Sequence, residues 1–370
     1  MPAATIRARL RSWRATPQVV RRCTAAALVA NVAIVGTGGL VRLTGSGLGC
    51  PSWPDCAPSS LVPTPELSWH KYVEFGNRLF TYVVLAAAVA ALVAVYRAAP
   101  ERRDLRPWAW ATLLGIPAQA VLGGITVLTD LNPWAVAAHF LLSMGVVATA
   151  TVAWFRSLPP AATGAPPVAL RRAGQALLAL TFAVCAAGTT VTGAGPHAGD
   201  PRAARIPARP ASLAQLHADL AMLLVGLAVG LAVTATVMDV GRRTIRATRW
   251  MVVLLAVQAV IGWTQYFLGL PAGLVEIHML GAASLVVGAT CVSASLSRPG
   301  RRIDVARNPD GTRDYVPDNM PSDVPGDVAN DLPEIGGPKP VPAQVTALTP
   351  AGSDKTPQKP PAANPAVTSR

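Results

Sequence analysis

Charged side chains are scarce in this sequence, and that scarcity excludes a soluble globular protein. Asp, Glu, Lys and Arg together make up 14% of the 370 residues, whereas a soluble domain carries about a quarter. Hydrophobic residues make up 51% of the chain, and the mean hydropathy is +0.39. We therefore interpret the chain as a membrane protein.

Acidic residues are fewer than basic ones, and the formal net charge is +13. The basic residues fall in short clusters between apolar segments, as in 7–22, 97–106 and 242–249. This pattern is typical of cytoplasmic loops and not of a face that binds a duplex. We expect a multi-pass protein of the cell membrane with both termini in the cytoplasm, surrounded by lipid and without a nucleic-acid partner.

Eight apolar segments are each long enough, at about 20 residues, to cross the hydrocarbon core of a bilayer. They are 23–43, 73–96, 107–128, 134–155, 174–193, 213–237, 250–270 and 272–295. A signal peptide is the alternative interpretation of the first segment. The loop after it has no convincing small-residue cleavage site, so we expect an anchored helix.

Short motifs of the first half recur in the second half. Residues 119–123 recur as 258–262, and the same offset carries His139 onto His278. A nearly equal offset carries Asn77 onto His217. Because each half has an even number of spans, the halves have the same orientation. We predict an all-α membrane protein with eight transmembrane helices, arranged as two pseudo-symmetric four-helix bundles in a parallel internal repeat.

The repeat and the composition together divide the chain into five parts. They are a cytoplasmic arm (1–22), an N-terminal bundle (23–156), a cytoplasmic linker (157–172), a C-terminal bundle (173–296) and a Pro-rich tail (297–370). The tail lacks apolar periodicity and cannot bury enough apolar surface to order itself, so we predict that it is disordered.

Histidine is rare, with five in the chain, and three of them begin apolar segments at similar depth. They are His139, His217 and His278. Imidazole is a common axial ligand of heme iron, and helical bundles hold hemes between histidines on facing helices. We favour heme ligation by His217 and His278 over hydrogen-bonded core histidines. Zinc is less favoured because a third and a fourth ligand are missing from the sequence nearby.

The first half keeps His139 but has Asn77 where the repeat predicts the second ligand. A neutral amide is a poor ligand for heme iron. Iron in this half would be bound by His139 alone or would recruit another group. His70 is a possible but distant substitute, since it lies about two helical turns before Asn77.

The first half also has an acid that the second half lacks. Glu74 and Arg78 share a helical face with Asn77, whereas Ala214 occupies the position that matches Glu74. A salt bridge at the start of a helix is the alternative interpretation of Glu74. The difference between the halves favours a catalytic Glu74, with the pairing to Arg78 as its companion.

Cysteine is also rare, and only Cys50 and Cys56 lie close together. They lie in the loop between the first two segments, which the charge pattern places on the outer face. Two cysteines on an oxidising side favour a disulfide, and two free thiols are the alternative.

The sequence resembles the heme A synthase family over residues 23–295. The motifs that carry the resemblance are residues 42–48 followed by the cysteine pair, Glu74-x-x-Asn77-Arg78, and residues 192–200. The histidines of the fourth, sixth and eighth segments complete it. One departure is Asn77, because the common family pattern has His at that position.

The resemblance implies a fold of two four-helix bundles, with heme b held by His217 and His278. It implies that Glu74 is essential and that Cys50 and Cys56 form a disulfide. The implied reaction oxidises the methyl group of heme O to the formyl group of heme A. An electron acceptor such as quinone and contact with the enzyme that makes heme O are further expectations.

We expect heme O to dock in the first bundle with His139 on or near its iron. Arg42 and Arg78 are candidate partners of the heme propionates, and snorkelling at the membrane edge is the alternative for Arg42. Two other functions remain open at this point. One is a bis-histidine cytochrome that exchanges electrons with quinone, and the other is a heme-free transporter.

Overall fold

The computed structural model describes residues 13–50, 52–57, 60–63, 68–159 and 166–297. Within these residues, eight helices are long and apolar enough to cross a membrane, as the sequence predicted. The predicted tail lies outside the described residues except for Ser297, and so do the first twelve residues of the predicted arm.

The eight helices are joined by short connections and by two longer loops, 44–69 and 195–209. They are α1 (Pro17–Leu43), α2 (His70–Tyr96), α3 (Arg106–Leu128), α4 (Pro133–Ser157), α5 (Val168–Ala194), α6 (Pro210–Val237), α7 (Arg242–Phe267) and α8 (Ala272–Ser297). A 3₁₀ turn, Arg103–Leu105, precedes α3. The chain is therefore a multi-pass membrane protein.

Several helices begin earlier than the sequence predicted. The α1 helix begins at Pro17 and not at residue 23, because the Thr16 hydroxyl accepts a hydrogen bond from the Val19 N–H and Pro17 has no N–H to satisfy. The α7 helix begins at Arg242 and not at residue 250. Hydropathy marks only the part of a helix that lies in hydrocarbon, so it misses polar first turns.

Each half is a four-helix bundle with the same arrangement. In the first bundle, α1 and α3 both pack against α2 and α4. In the second bundle, α5 and α7 both pack against α6 and α8. Consequently α2 faces α4 across the first bundle and α6 faces α8 across the second. The predicted pair of bundles is confirmed.

The two bundles meet through α1 and α4 on one side and α5 and α8 on the other. The core between them includes Met144 and Val147 of α4 and Ala283 and Val286 of α8, all fully buried. This shared core fixes the position of one bundle relative to the other.

Candidate functional site

His217 of α6 and His278 of α8 face each other across the second bundle. Their ring centroids are 6.3 Å apart, and the ring planes make an angle of 74°. The Nδ1 atom of His217 lies 3.0 Å from the carbonyl oxygen of Val184. Since a carbonyl only accepts, Nδ1 carries the proton, and Nε2 is left as the nitrogen that can bind a metal.

The distance between these two rings fits a pair of axial ligands on one iron. Imidazole nitrogens bind metals at about 2 Å, and the centre of the ring lies about 1 Å behind the nitrogen. Two imidazoles on opposite sides of one iron would therefore have centroids about 6 Å apart. The residues present fit a heme between His217 and His278.

Each of the three intramembrane histidines rests against a glycine of the preceding helix. A Cβ atom added to the glycine would lie 3.1 Å from His217 Cε1, 3.3 Å from His278 Cε1 and 3.2 Å from His139 Cε1. The glycines are Gly188, Gly262 and Gly123, respectively. Gly123 and Gly262 stand in the repeated motif, but the motif alone does not indicate that they contact histidines.

The repeated glutamines make the same contact in both halves. Gln119 Nε2 donates to the carbonyl oxygen of His139, and Gln258 Nε2 donates to that of His278, each at 3.1 Å. These bonds hold the backbone of each histidine on the neighbouring helix. The internal repeat therefore extends from sequence motifs to individual hydrogen bonds.

Asn77 and His139 lie on facing helices of the first bundle, and both are partly buried. The Asn77 Oδ1 atom accepts a hydrogen bond of 2.6 Å from the Thr37 hydroxyl of α1. His139 Nδ1 is buried and makes no hydrogen bond among the described residues. The first bundle thus has one imidazole where the second has two.

Glu74 is buried, with 5% of its surface exposed, and both of its carboxylate oxygens have partners. Oε1 accepts from Arg78 Nη2 at 2.6 Å and from Arg78 Nε at 3.2 Å. Oε2 accepts from the backbone N–H of Cys50 at 2.8 Å. The predicted ion pair is present. The loop between α1 and α2, residues 44–69, is called the outer loop, and its Cys50 N–H is a further partner of Glu74 that the sequence did not indicate.

Arg78 connects Glu74 to the outer loop. Besides the two bonds to Glu74, Nη2 donates to Ser52 O at 3.1 Å, and Nη1 donates to Pro54 O and Asp55 O, each at 3.3 Å. All five N–H groups of the guanidinium are thereby used. A heme propionate could bind Arg78 only by replacing one of these acceptors.

Cys50 and Cys56 form a disulfide, and both residues are fully buried. The bridge closes the loop segment whose carbonyls Arg78 binds. The disulfide, Arg78 and the Cys50 N–H together fix the loop above the start of α2. Glu74 is thus held by a folded loop and not only by its own helix.

Arg42 and His70 each make hydrogen bonds to distant parts of the chain. Arg42 Nε donates to His197 O at 2.6 Å, and Nη2 donates to Thr192 O at 3.1 Å, so Arg42 joins α1 to the second half. His70 Nδ1 lies 2.9 Å from the Ser46 hydroxyl. His70 therefore contacts the outer loop.

Residues 21–290 match a family model described as COX15-CtaA, cytochrome oxidase assembly protein. The match covers both bundles, including every helix that carries a candidate site residue.

Curated relatives that are similar to this chain are named heme A synthase. One from Geobacillus thermodenitrificans is 36% identical over 113 residues, which is 30% of this chain and 34% of the relative. One from Geobacillus kaustophilus is 38% identical over 110 residues, 29% of this chain and 32% of the relative. One from Methylorubrum populi is 33% identical over 162 residues, 40% of this chain and 42% of the relative. The chain thus aligns with about a third to two fifths of each relative's length.

Proposed function

We propose, because the chain belongs to the COX15-CtaA family of cytochrome oxidase assembly proteins, that it is a heme A synthase of the cell membrane. In this proposal it oxidises the methyl group of heme O to the formyl group of heme A. One observation carries the proposal. The same bundle occurs twice, with facing histidines in one copy and with a buried acid tied to a disulfide loop in the other.

The second bundle is the proposed site of heme b, with His217 and His278 as its ligands. Such a heme supplies a one-electron redox centre inside the membrane. The Val184 carbonyl fixes the tautomer of His217, and Gln258 holds the backbone of His278. Partners of this kind orient ligating imidazoles before the metal group binds.

The first bundle is the proposed reaction site, and Glu74 is its proposed catalytic residue. Oxidation of a methyl group to a formyl group takes up one oxygen atom, as from water, and removes four electrons and four protons, so two molecules of a two-electron acceptor such as quinone are reduced for each heme. A carboxylate beside the reacting carbon can accept a proton or stabilise developing positive charge. Arg78 and the Cys50 N–H hold both oxygens of Glu74 in place, so the acid is oriented before the substrate arrives.

His139 is the proposed ligand of the substrate iron, and Asn77 faces it from α2. The bond from Thr37 holds the Asn77 amide, and an amide competes weakly for heme iron, so we propose one open axial position.

We propose that the Nη1 group of Arg42 binds a propionate of heme O. A quinone is the proposed electron acceptor, and the enzyme that makes heme O supplies the substrate.

Pigment extraction tests the proposed function and the role of Glu74. A host that makes heme O but not heme A would express the wild-type protein or the Glu74→Gln variant. We expect heme A with the wild-type protein and about 100-fold less with the variant, the size typical of a lost acid–base group. Glu101→Gln is the control, because this acid is exposed and lies outside the membrane helices.

Two results would contradict the proposal. Purified protein that contains heme b while its cells lack heme A would favour the electron-transfer cytochrome. Purified protein without any heme would favour the transporter. A Glu74→Gln variant that makes heme A at the wild-type rate would remove Glu74 from the mechanism and leave the function standing.

A further inference from the structure

The outer loop reaches into the first bundle through the side chain of Trp53. Its indole lies against Gly124 of α3, where an added Cβ atom would be 2.7 Å from Cε2 and 2.9 Å from Cε3 of the ring. Gly124 stands four residues before the end of α3 at Leu128, which is about 6 Å of helix. The indole therefore lies about one turn below the end of the helix, and only glycine leaves room for it.

The backbone of Trp53 is held on both sides. The carbonyls of Ser52 and Pro54, its two neighbours, both accept hydrogen bonds from Arg78, at 3.1 Å and 3.3 Å. The disulfide between Cys50 and Cys56 closes the same segment. The position of the indole is thus set by the same contacts that orient Glu74.

Trp53 and His139 contact adjacent residues of α3. Gly123 supports the imidazole of His139, at 3.2 Å from an added Cβ to Cε1, and Gly124 supports the indole. Both rings therefore stand at the outer mouth of the first bundle. Trp53 is about a third exposed, at 37%, so part of the ring surface remains available for contact.

The second half lacks this arrangement. The offset that carries His139 onto His278 carries Gly123 onto Gly262 but carries Gly124 onto Trp263. The glycine that supports the histidine is kept, whereas the space for a loop indole is lost. The second outer loop, residues 195–209, has no tryptophan. The inserted indole is specific to the first half, as Glu74 is.

We propose that Trp53 is a substrate-binding residue whose indole contacts the porphyrin of heme O bound at His139. This inference rests on the proposed function of the first bundle. Planar aromatic groups bind one another by offset or edge-on contact, and a porphyrin offers a large planar surface. Because the loop also binds Glu74 through Cys50, the indole fixes which edge of the macrocycle meets the acid.

Steady-state kinetics of the purified full-length enzyme test this role. We expect Trp53→Ala to raise the KM for heme O about tenfold while kcat stays within about threefold, since an aromatic contact with substrate is lost. Trp53→Phe should recover most of the affinity. Trp134→Ala is the matched control, because this tryptophan is 60% exposed at the start of the helix that carries His139, and its KM should equal that of the wild type.

A binding measurement separates this inference from the proposed function. In a Glu74→Gln background, adding Trp53→Ala should weaken binding of heme O about tenfold, measured by absorbance titration. Unchanged KM and unchanged affinity would overturn the role of Trp53. A lower kcat at unchanged KM would also overturn it, because that result indicates only a structural role for the loop. Wild-type protein that forms no heme A refutes the proposed function, while the titration still decides the role of Trp53.

Discussion

Asn77 and His217 occupy equivalent positions, and each is held by a group from the preceding helix. The Thr37 hydroxyl donates to Asn77, and the Val184 carbonyl accepts from His217. Helices α2 and α6 thus place different side chains, an amide and an imidazole, at equivalent positions. A histidine at position 77 would have a hydroxyl acceptor within reach and would face His139.

Asn77→His is therefore expected to convert the first half into a second bis-histidine site. Heme bound there should change from a high-spin form with one imidazole to a low-spin form with two. Optical and electron paramagnetic resonance spectra of the purified, heme-loaded variant check this change. Asn77→Gln keeps the amide and is the control. Identical spectra for the histidine variant and the wild type would contradict the open axial position.

Local pairs in the site were predictable from sequence, and distant partners were not. Glu74 and Arg78 stand four residues apart on one helix, so helical geometry alone predicts their contact. The bond from Cys50 to Glu74 crosses a loop whose path no periodicity describes. The same holds for Trp53, because its contact with Gly124 depends on how the loop folds over α3.

Each imidazole ring packs against the helix that precedes its own helix in the chain. Glycine at the contact lets a ring approach the helix backbone, as in the pair of Gly188 and His217. Hydropathy predicted all eight helices because length and apolar content are local properties. It could not predict which glycines face a histidine, since that depends on the rotation of each helix in the bundle.

Gly188→Val is expected to displace the imidazole of His217. The added Cβ would already lie 3.1 Å from Cε1, and a branched side chain needs more space still, so a large fraction of the proposed heme b should be lost. Heme content per protein and the spectrum of the purified variant measure the effect. Gly226→Val is the control, because no neighbouring atom would lie within 4 Å of a Cβ added at that position. A wild-type heme content in Gly188→Val would show that the glycine contact is unimportant.

At the scale of the whole molecule, Arg42 joins the first half to helix α5 of the second half through Thr192 and to the loop that follows α5 through His197. Arg42→Ala should lower the free energy of unfolding by about 2 kcal/mol, because hydrogen bonds to a charged group are lost at two partly buried carbonyls. Thermal unfolding in detergent measures this change. Arg202→Ala, whose side chain is 81% exposed, should have little effect.

The KM of the Arg42→Ala variant for heme O, the proposed substrate, tests the proposed propionate contact separately. A rise in KM is expected, since the Nη1 group is removed together with the rest of the guanidinium. Unchanged thermal stability would refute the link between the halves, and unchanged KM would refute the propionate contact. The sequence predicted two bundles from repeated motifs, but it could not predict that Arg42 reaches the opposite half.

The contacts between the bundles are reciprocal. Helix α1 packs on α8 as its repeat mate α5 packs on α4, and the mates α4 and α8 pack on each other. This is the geometry of a homodimer with twofold symmetry, in which one surface pairs with itself. In a true homodimer any substitution appears in both subunits, so two identical sites must change together. Joining the subunits in one chain removes that constraint, and one copy can keep its paired histidines while the other gains Glu74, Asn77 and Trp53.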